Sequence, residues 1–260
     1  MTFPKLFITD LDGTALGGNF EPYVQFPEPF CQFLDRLSDK GCKWAINTTW
    51  DVDGQWDLVM NSPVKSRPTY LMAEFGLRIA EVKGEEYAFI QPYTEENNLK
   101  LATFNNEIGY KIISDICTKF KATKMMFYGH LFNFISIPED SAALASYVNE
   151  HYAHMSEIVM NSKKNQFSFR PAFLNKGNAV KKLMQLAGLS SAEVIAAGDE
   201  VADIGMVQEG GAGFLIGPEN SAPKVKQAIA ETHGEIGTGH ACLGIIDAFN
   251  KLAIRQGWDW

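Results

Sequence analysis

Short apolar runs alternate with stretches of helical spacing along the chain. The runs at 5–9, 43–47, 69–73 and 194–197 are each followed at once by polar residues or glycine. That is the pattern of strands in a parallel sheet buried on both faces and joined by helices. The spacing predicts a helix over 27–40, where Phe30, Phe33, Leu34 and Leu37 recur before Gly41, and another over 178–187 before Gly188. Ligands of such sheets bind beyond the carboxyl ends of the strands, so the polar residues after these runs should converge on one site.

From about residue 77 to 170 the pattern changes. Residues 77–82 and 87–91 flank Lys83-Gly84-Glu85-Glu86 as a hairpin, 125–137 and 167–170 have strand character, and 95–120 and 141–151 have helical character. The predicted fold is α/β: a Rossmann-like parallel-sheet core from 1–84 and 171–260, with an inserted α+β unit at 85–170. No internal repeat interrupts this plan.

Composition adds exclusions. With 46% hydrophobic and 21% charged residues in 260, the chain can bury its own cores. A net charge of −8 argues against a nucleic-acid partner, which needs a concentrated basic face. Cys31, Cys42, Cys117 and Cys242 lie far apart without zinc-ligand spacing, as expected of reduced thiols in a cytoplasmic protein. Residues 1–5 lack a secretory pattern, and no stretch approaches the roughly 20 apolar residues that span a bilayer, so neither export nor a membrane partner is expected.

The chemistry concentrates at two strand ends. The first run ends in Asp10-Leu11-Asp12-Gly13-Thr14, and alternation along an extended chain would put both carboxylates on one side. Like charges that close call for a proton or a cation such as Mg²⁺. A surface turn also fits this segment; a calcium loop does not, because Ala15-Leu16-Gly17-Gly18 supplies no further oxygen ligands. The second cluster, Gly198-Asp199-Glu200-Val201-Ala202-Asp203, follows the run at 194–197. Taken alone, Asp199 could cap a helix and Asp203 could be an exposed helical acid.

With Thr48 closing the second run and Lys176-Gly177 opening a helix, these segments form an ordered series that resembles the haloacid dehalogenase superfamily of hydrolases, in its Cof-type branch (subfamily IIB) with a large α+β cap of the C2 kind. The resemblance implies a phosphatase in which Asp10 attacks phosphorus to give an aspartyl-phosphate and Asp12 serves as acid and then base. It further implies Thr48 and Lys176 on the phosphoryl oxygens, Mg²⁺ held by Asp10, Asp199 and the backbone carbonyl of Asp12, and Asp203 orienting waters or Lys176. The expected substrate is a small phosphate monoester, a sugar phosphate foremost. The cap would select it, with Tyr128, His130, Asn133, Lys163, Lys164 and Arg170 as polar or aromatic candidates. The chain departs from the pattern at Thr49-Trp50, where Gly-Arg is common, at Glu200 and Ala202, and at Glu74-Phe75-Gly76, where Asn-Gly often stands. Two alternatives follow: a phosphotransferase or phosphosugar mutase, and a phosphometabolite-binding regulator without turnover.

Overall fold

The computed structural model describes residues 2–18, 23–121 and 123–260. In chain order the elements are β1 (Leu6–Thr9), α1 (Glu28–Asp39), β2 (Lys43–Asn47), α2 (Val52–Asn61), β3 (Tyr70–Ala73), β4 (Arg78–Lys83) and β5 (Glu86–Phe89). Then come α3 (Gln91–Phe104), α4 (Tyr110–Lys119), β6 (Lys124–Phe127), β7 (Phe132–Ile135), α5 (Ser141–Tyr152), β8 (Ile158–Lys163) and β9 (Gln166–Pro171). The chain closes with α6 (Lys176–Ala187), β10 (Val194–Ala197), α7 (Gly205–Gln208), β11 (Phe214–Ile216), α8 (Pro223–Glu231) and α9 (Ala241–Gln256).

Two compact units result, Met1–Gln91 with Asn175–Trp260, and Pro92–Leu174. The first holds a seven-stranded sheet in the order β11-β10-β1-β2-β3-β4-β5. Its first five members are parallel, and β4 and β5 add as an antiparallel ribbon. Strand β1 sits between β10 and β2 with all four residues buried, as a Leu-Phe-Ile-Thr run covered on both faces must be. Helix α1 starts where Pro27 and Pro29 set the backbone and Glu28 faces the positive helix end. It buries Phe30, Phe33, Leu34 and Leu37 in the core that also contains Phe7, Trp44 and Phe249.

The expected insert boundaries, 85 and 170, shift to 92 and 174. The hairpin strand β5 pairs with β4 from Ala80↔Phe89 to Lys83↔Glu86, so its ladder bonds complete the main sheet rather than start the insert. The second unit is an antiparallel sheet ordered β6-β7-β9-β8. The apolar stretch 125–137 is not one strand but two, because the chain turns after β6, with Gly129 at φ +77°. Likewise 95–120 divides into α3 and α4 across a π-helical turn at Asn105–Gly109. Alternation along β7 and β9 sends Phe132, Phe134, Phe167 and Phe169 to one face, against Ile112 and Ile116 of α4 and Leu144 and Val148 of α5. Among the described residues, no helix is long and apolar enough to cross a membrane.

Phe169 is fully buried, stacks on Phe132 at 5.4 Å and meets Phe134 edge-on at 5.7 Å. Phe169→Ala should therefore cost about 3–5 kcal/mol, read as a lower urea midpoint; an unchanged midpoint contradicts this packing.

Candidate active site

The register of β1 on β10 sets the site. Thr9 lies opposite Ala197, and the Asp10 N–H donates to the Ala197 carbonyl at 3.0 Å, so Asp10 and Gly198-Asp199 leave the sheet side by side. The Lys176 ammonium donates to Asp10 Oδ1 and to Asp203 Oδ1, each at 2.6 Å. All three side chains are buried, at 3%, 4% and 0% exposure for Lys176, Asp10 and Asp203. Asp203 Oδ2 accepts the N–H groups of Asp199 at 3.0 Å and Glu200 at 2.9 Å. A Cβ on Gly198 would overlap Asp203, which explains the glycine. Lys176 is the first residue of α6; Asn175 caps the helix and Asn47 Nδ2 holds the Lys176 carbonyl at 3.0 Å.

Beyond β1 the chain turns sharply. Leu11 O accepts from Thr14 N at 3.1 Å and Leu16 N at 2.8 Å, and Gly13 takes φ +76° where a Cβ would run into Asp199. The extended alternation expected to align Asp10 with Asp12 thus stops at Thr9: Asp10 is buried on Lys176, whereas Asp12 is exposed and its Oδ2 accepts the Trp50 indole N–H at 2.7 Å. Asp199 is fixed on both oxygens, by Thr14 Oγ1 at 2.7 Å and by Asn220 Nδ2 at 3.2 Å. Asn220 also donates to Gly13 O at 2.9 Å and accepts from Ala241 N at 2.9 Å.

Burial pushes Asp10 up to about 7, against the opposing pull of Lys176, and pushes Asp199 up to about 6, against the Thr14 hydrogen bond. Burial alone would lower Lys176; the charges and hydrogen bonds of Asp10 and Asp203 outweigh it and hold the ammonium above its ordinary range. Ligand atoms of Asp10, Asp199 and Asp203 lie within 4.8 Å of one another. With all three ionised, a single ammonium leaves two negative charges uncompensated, and repulsion from Asp203 adds to burial in raising Asp10 and Asp199. The all-oxygen donor set and the excess charge fit a hard divalent cation such as Mg²⁺. Asp203 is fully buried, with one oxygen on Lys176 and the other shared by two backbone N–H groups, whereas Asp10 and Asp199 stand directly beyond the ends of β1 and β10 and are the better placed of the three to ligate it. Cysteine nucleophiles are disfavoured: burial pushes Cys31 and Cys242 up to about 11 and Cys42 to about 12.

The structure thus brings Asp10, Lys176, Asp199 and Asp203 together. Thr48 is 1% exposed at the end of β2, its N–H on the Met72 carbonyl at 3.1 Å, and it is not a helix cap, since Asp51 caps α2. In the second unit, His130 and Asn133 are buried, whereas Tyr128, Lys163 and Lys164 are exposed. Sequence reasoning placed Thr14 in the first motif and Trp50 among the departures without giving either a role, and missed Asn220. Asn220 follows β11, a three-residue strand too short to stand out, yet the rule that strand ends converge would have found it.

Removing the ammonium leaves two buried carboxylates facing each other. Lys176→Met should cost about 3–5 kcal/mol near pH 8. Lys176 holds Asp10 below where burial alone would put it, so the carboxyl rises further in the variant than in wild type, the variant gains more stability than wild type as pH falls, and the cost should shrink near pH 5. Denaturant titrations at both pH values check this; a pH-independent loss contradicts it.

A sequence profile of haloacid dehalogenase-like hydrolases matches residues 69–235, more than half of the chain. No curated protein matches by sequence. Among solved structures, the sucrose-phosphatase of Synechocystis sp. PCC6803, in complex with sucrose and phosphate, is similar at TM-score 0.66 and 17% identity, over 96% of this chain and 98% of that one. A haloacid dehalogenase-like hydrolase from Bacteroides thetaiotaomicron matches at 0.63 and 14%, over 97% and 99%. A trehalose-6-phosphate phosphatase related protein matches at 0.51 and 13%, over 96% and 99%. At such identities the likeness is one of fold, and it extends across both units. The chain belongs to the haloacid dehalogenase-like hydrolase family, with the inserted α+β unit that its Cof-type resemblance implies.

Proposed function

We propose that the protein is a Mg²⁺-dependent phosphatase of small phosphorylated metabolites, sugar phosphates foremost, acting in the cytoplasm. The observation that carries this reading is the buried chain Asp10–Lys176–Asp203 beside Asp199, at the carboxyl ends of two adjacent parallel strands. Sugar phosphates are favoured by fold likeness to the sucrose-phosphatase and the trehalose-6-phosphate phosphatase related protein, with the inserted unit (residues 92–174) as the proposed selector of substrate.

Asp10 attacks phosphorus in line, forming an aspartyl-phosphate while the bond to the leaving oxygen breaks. Asp12, exposed on the turn beyond β1, gives that oxygen a proton and then takes one from the water that hydrolyses the intermediate. Lys176 and Thr48 hold phosphoryl oxygens, and Asp203 keeps Lys176 aimed at Asp10. Asp10 and Asp199, with the Asp12 carbonyl, would hold Mg²⁺, which when bound neutralises the dianionic ester and keeps Asp10 ionised. Thr14 and Asn220 keep Asp199 in place.

Purified protein with Mg²⁺ should release phosphate from a nitrophenyl phosphate, and Asp10→Asn should abolish release without lowering thermal stability; unchanged turnover in that variant refutes the nucleophile. In ¹⁸O-labelled water the phosphate should carry the label, whereas transfer to a sugar hydroxyl without free phosphate would identify a phosphotransferase.

Mg²⁺ needs both carboxyls ionised. In the metal-free protein they are raised to about 7 and about 6, so proton binding stabilises the fold at lower pH, and this contribution is lost as pH rises through those values. The rise in Tm on adding Mg²⁺ should therefore be larger near pH 8 than near pH 5. An increment that does not change with pH contradicts binding at Asp10 and Asp199.

A further inference from the structure

Trp50 has no part in the roles assigned above, yet its indole is directed at one of the reacting carboxyls. Its Nε1–H donates to Asp12 Oδ2 at 2.7 Å. Both ends of this bond are fixed by their own backbones. The Trp50 carbonyl accepts the Glu74 N–H at 3.1 Å and Gln55 Nε2 at 3.2 Å; Gln55 is fully buried and also reaches the Met72 carbonyl at 3.3 Å. The ring packs on the core of the first unit. On the other side, Gly13 N on Leu16 O and Leu16 N on Leu11 O, both at 2.8 Å, fix the turn that carries Asp12.

An exposed aspartate without such a partner would sample several rotamers, which suits a solvated charge and not a proton carrier that must meet one oxygen of a substrate. An indole N–H suits the task for a chemical reason. It is a donor only and does not titrate, so it bonds a carboxyl oxygen that bears no proton. When Asp12 is the acid, the bond to Oδ2 leaves the proton on Oδ1; when Asp12 is the base, Oδ1 is the oxygen left open to receive one. We propose that Trp50 is a positioning residue for proton transfer, holding Asp12 through Oδ2 so that Oδ1 delivers and accepts the proton. In the first step the proton passes from Oδ1 to the leaving oxygen as its bond to phosphorus breaks and the Asp10–phosphorus bond forms. In the second, Oδ1 takes a water proton as the water oxygen bonds to phosphorus and the Asp10–phosphorus bond breaks. This inference rests on the acid–base role proposed for Asp12, and it gives a use to a tryptophan that stands where relatives commonly carry arginine.

The test compares two leaving groups. A nitrophenolate leaves without a proton, whereas an alkoxide needs one. First-turnover release of alcohol is measured with a nitrophenyl phosphate and an alkyl phosphate monoester in wild type, Trp50→Phe, Trp50→His and a protein carrying benzothienylalanine at position 50, which keeps the shape of the indole and replaces the N–H with sulfur. Loss of the donor should slow the alkyl ester ~10-fold or more and the nitrophenyl ester less than ~3-fold, because general acid catalysis is worth about 10²–10⁴ where a proton is required. Trp50→His, which keeps a ring N–H, should restore part of the alkyl rate, and Asp12→Asn should give the same split more strongly. Equal slowing of both esters, or no effect in the benzothienylalanine protein, overturns the proposal while leaving the phosphatase reading intact. Failure of wild type to release either alcohol overturns that reading and this inference with it. An independent readout needs no turnover: in metal-free protein the ¹⁵N-indole resonance that vanishes in Trp50→Phe should shift in Asp12→Ala, and an unmoved resonance overturns the bond.

Discussion

One ammonium organises the catalytic end of the sheet. Lys176 Nζ lies between Asp10 and Asp203 at 2.6 Å from each, out of contact with bulk water. Each buried charge costs several kcal/mol to desolvate, and the cost is offset only where geometry and further hydrogen bonds are good. The neighbouring features follow from that condition. Asn47 and Asn175 fix the start of α6, the N–H groups of Asp199 and Glu200 occupy the free oxygen of Asp203, and Gly198 makes room for it.

The arrangement is deliberately short of positive charge. Three carboxylates share one cation, and burial, with repulsion from Asp203 added to it, makes Asp10 and Asp199 hold their protons more tightly than free aspartates do. The same shortage leaves negative charge that a hard divalent cation would neutralise.

Much of this was legible in the sequence, and the exceptions have physical causes. Runs buried on both faces announced β1, β2, β3 and β10, and the residues just beyond them, Asp10, Thr48 and Asp199, lie where the strand ends required. Strand β11, three residues long, gave too little pattern to detect, and Asn220 was lost with it. The hairpin at 77–91 was read as a hairpin, but the expected boundary after residue 84 put its second strand in the insert, because local alternation does not say which sheet edge a ribbon will join. The pairing of Asp12 with Trp50 could not be read from spacing, since it joins a turn after one strand to a turn after another. Residue type gave only a negative hint: the familiar arginine was missing.

Asp10 is proposed to carry the phosphoryl group. Acid quenching during turnover, borohydride reduction and peptide mapping by mass spectrometry address it directly. Conversion of Asp10 to homoserine, dependent on substrate and absent in unreacted protein, is the expected result; a phosphoryl group trapped on any other side chain would contradict Asp10 as the nucleophile.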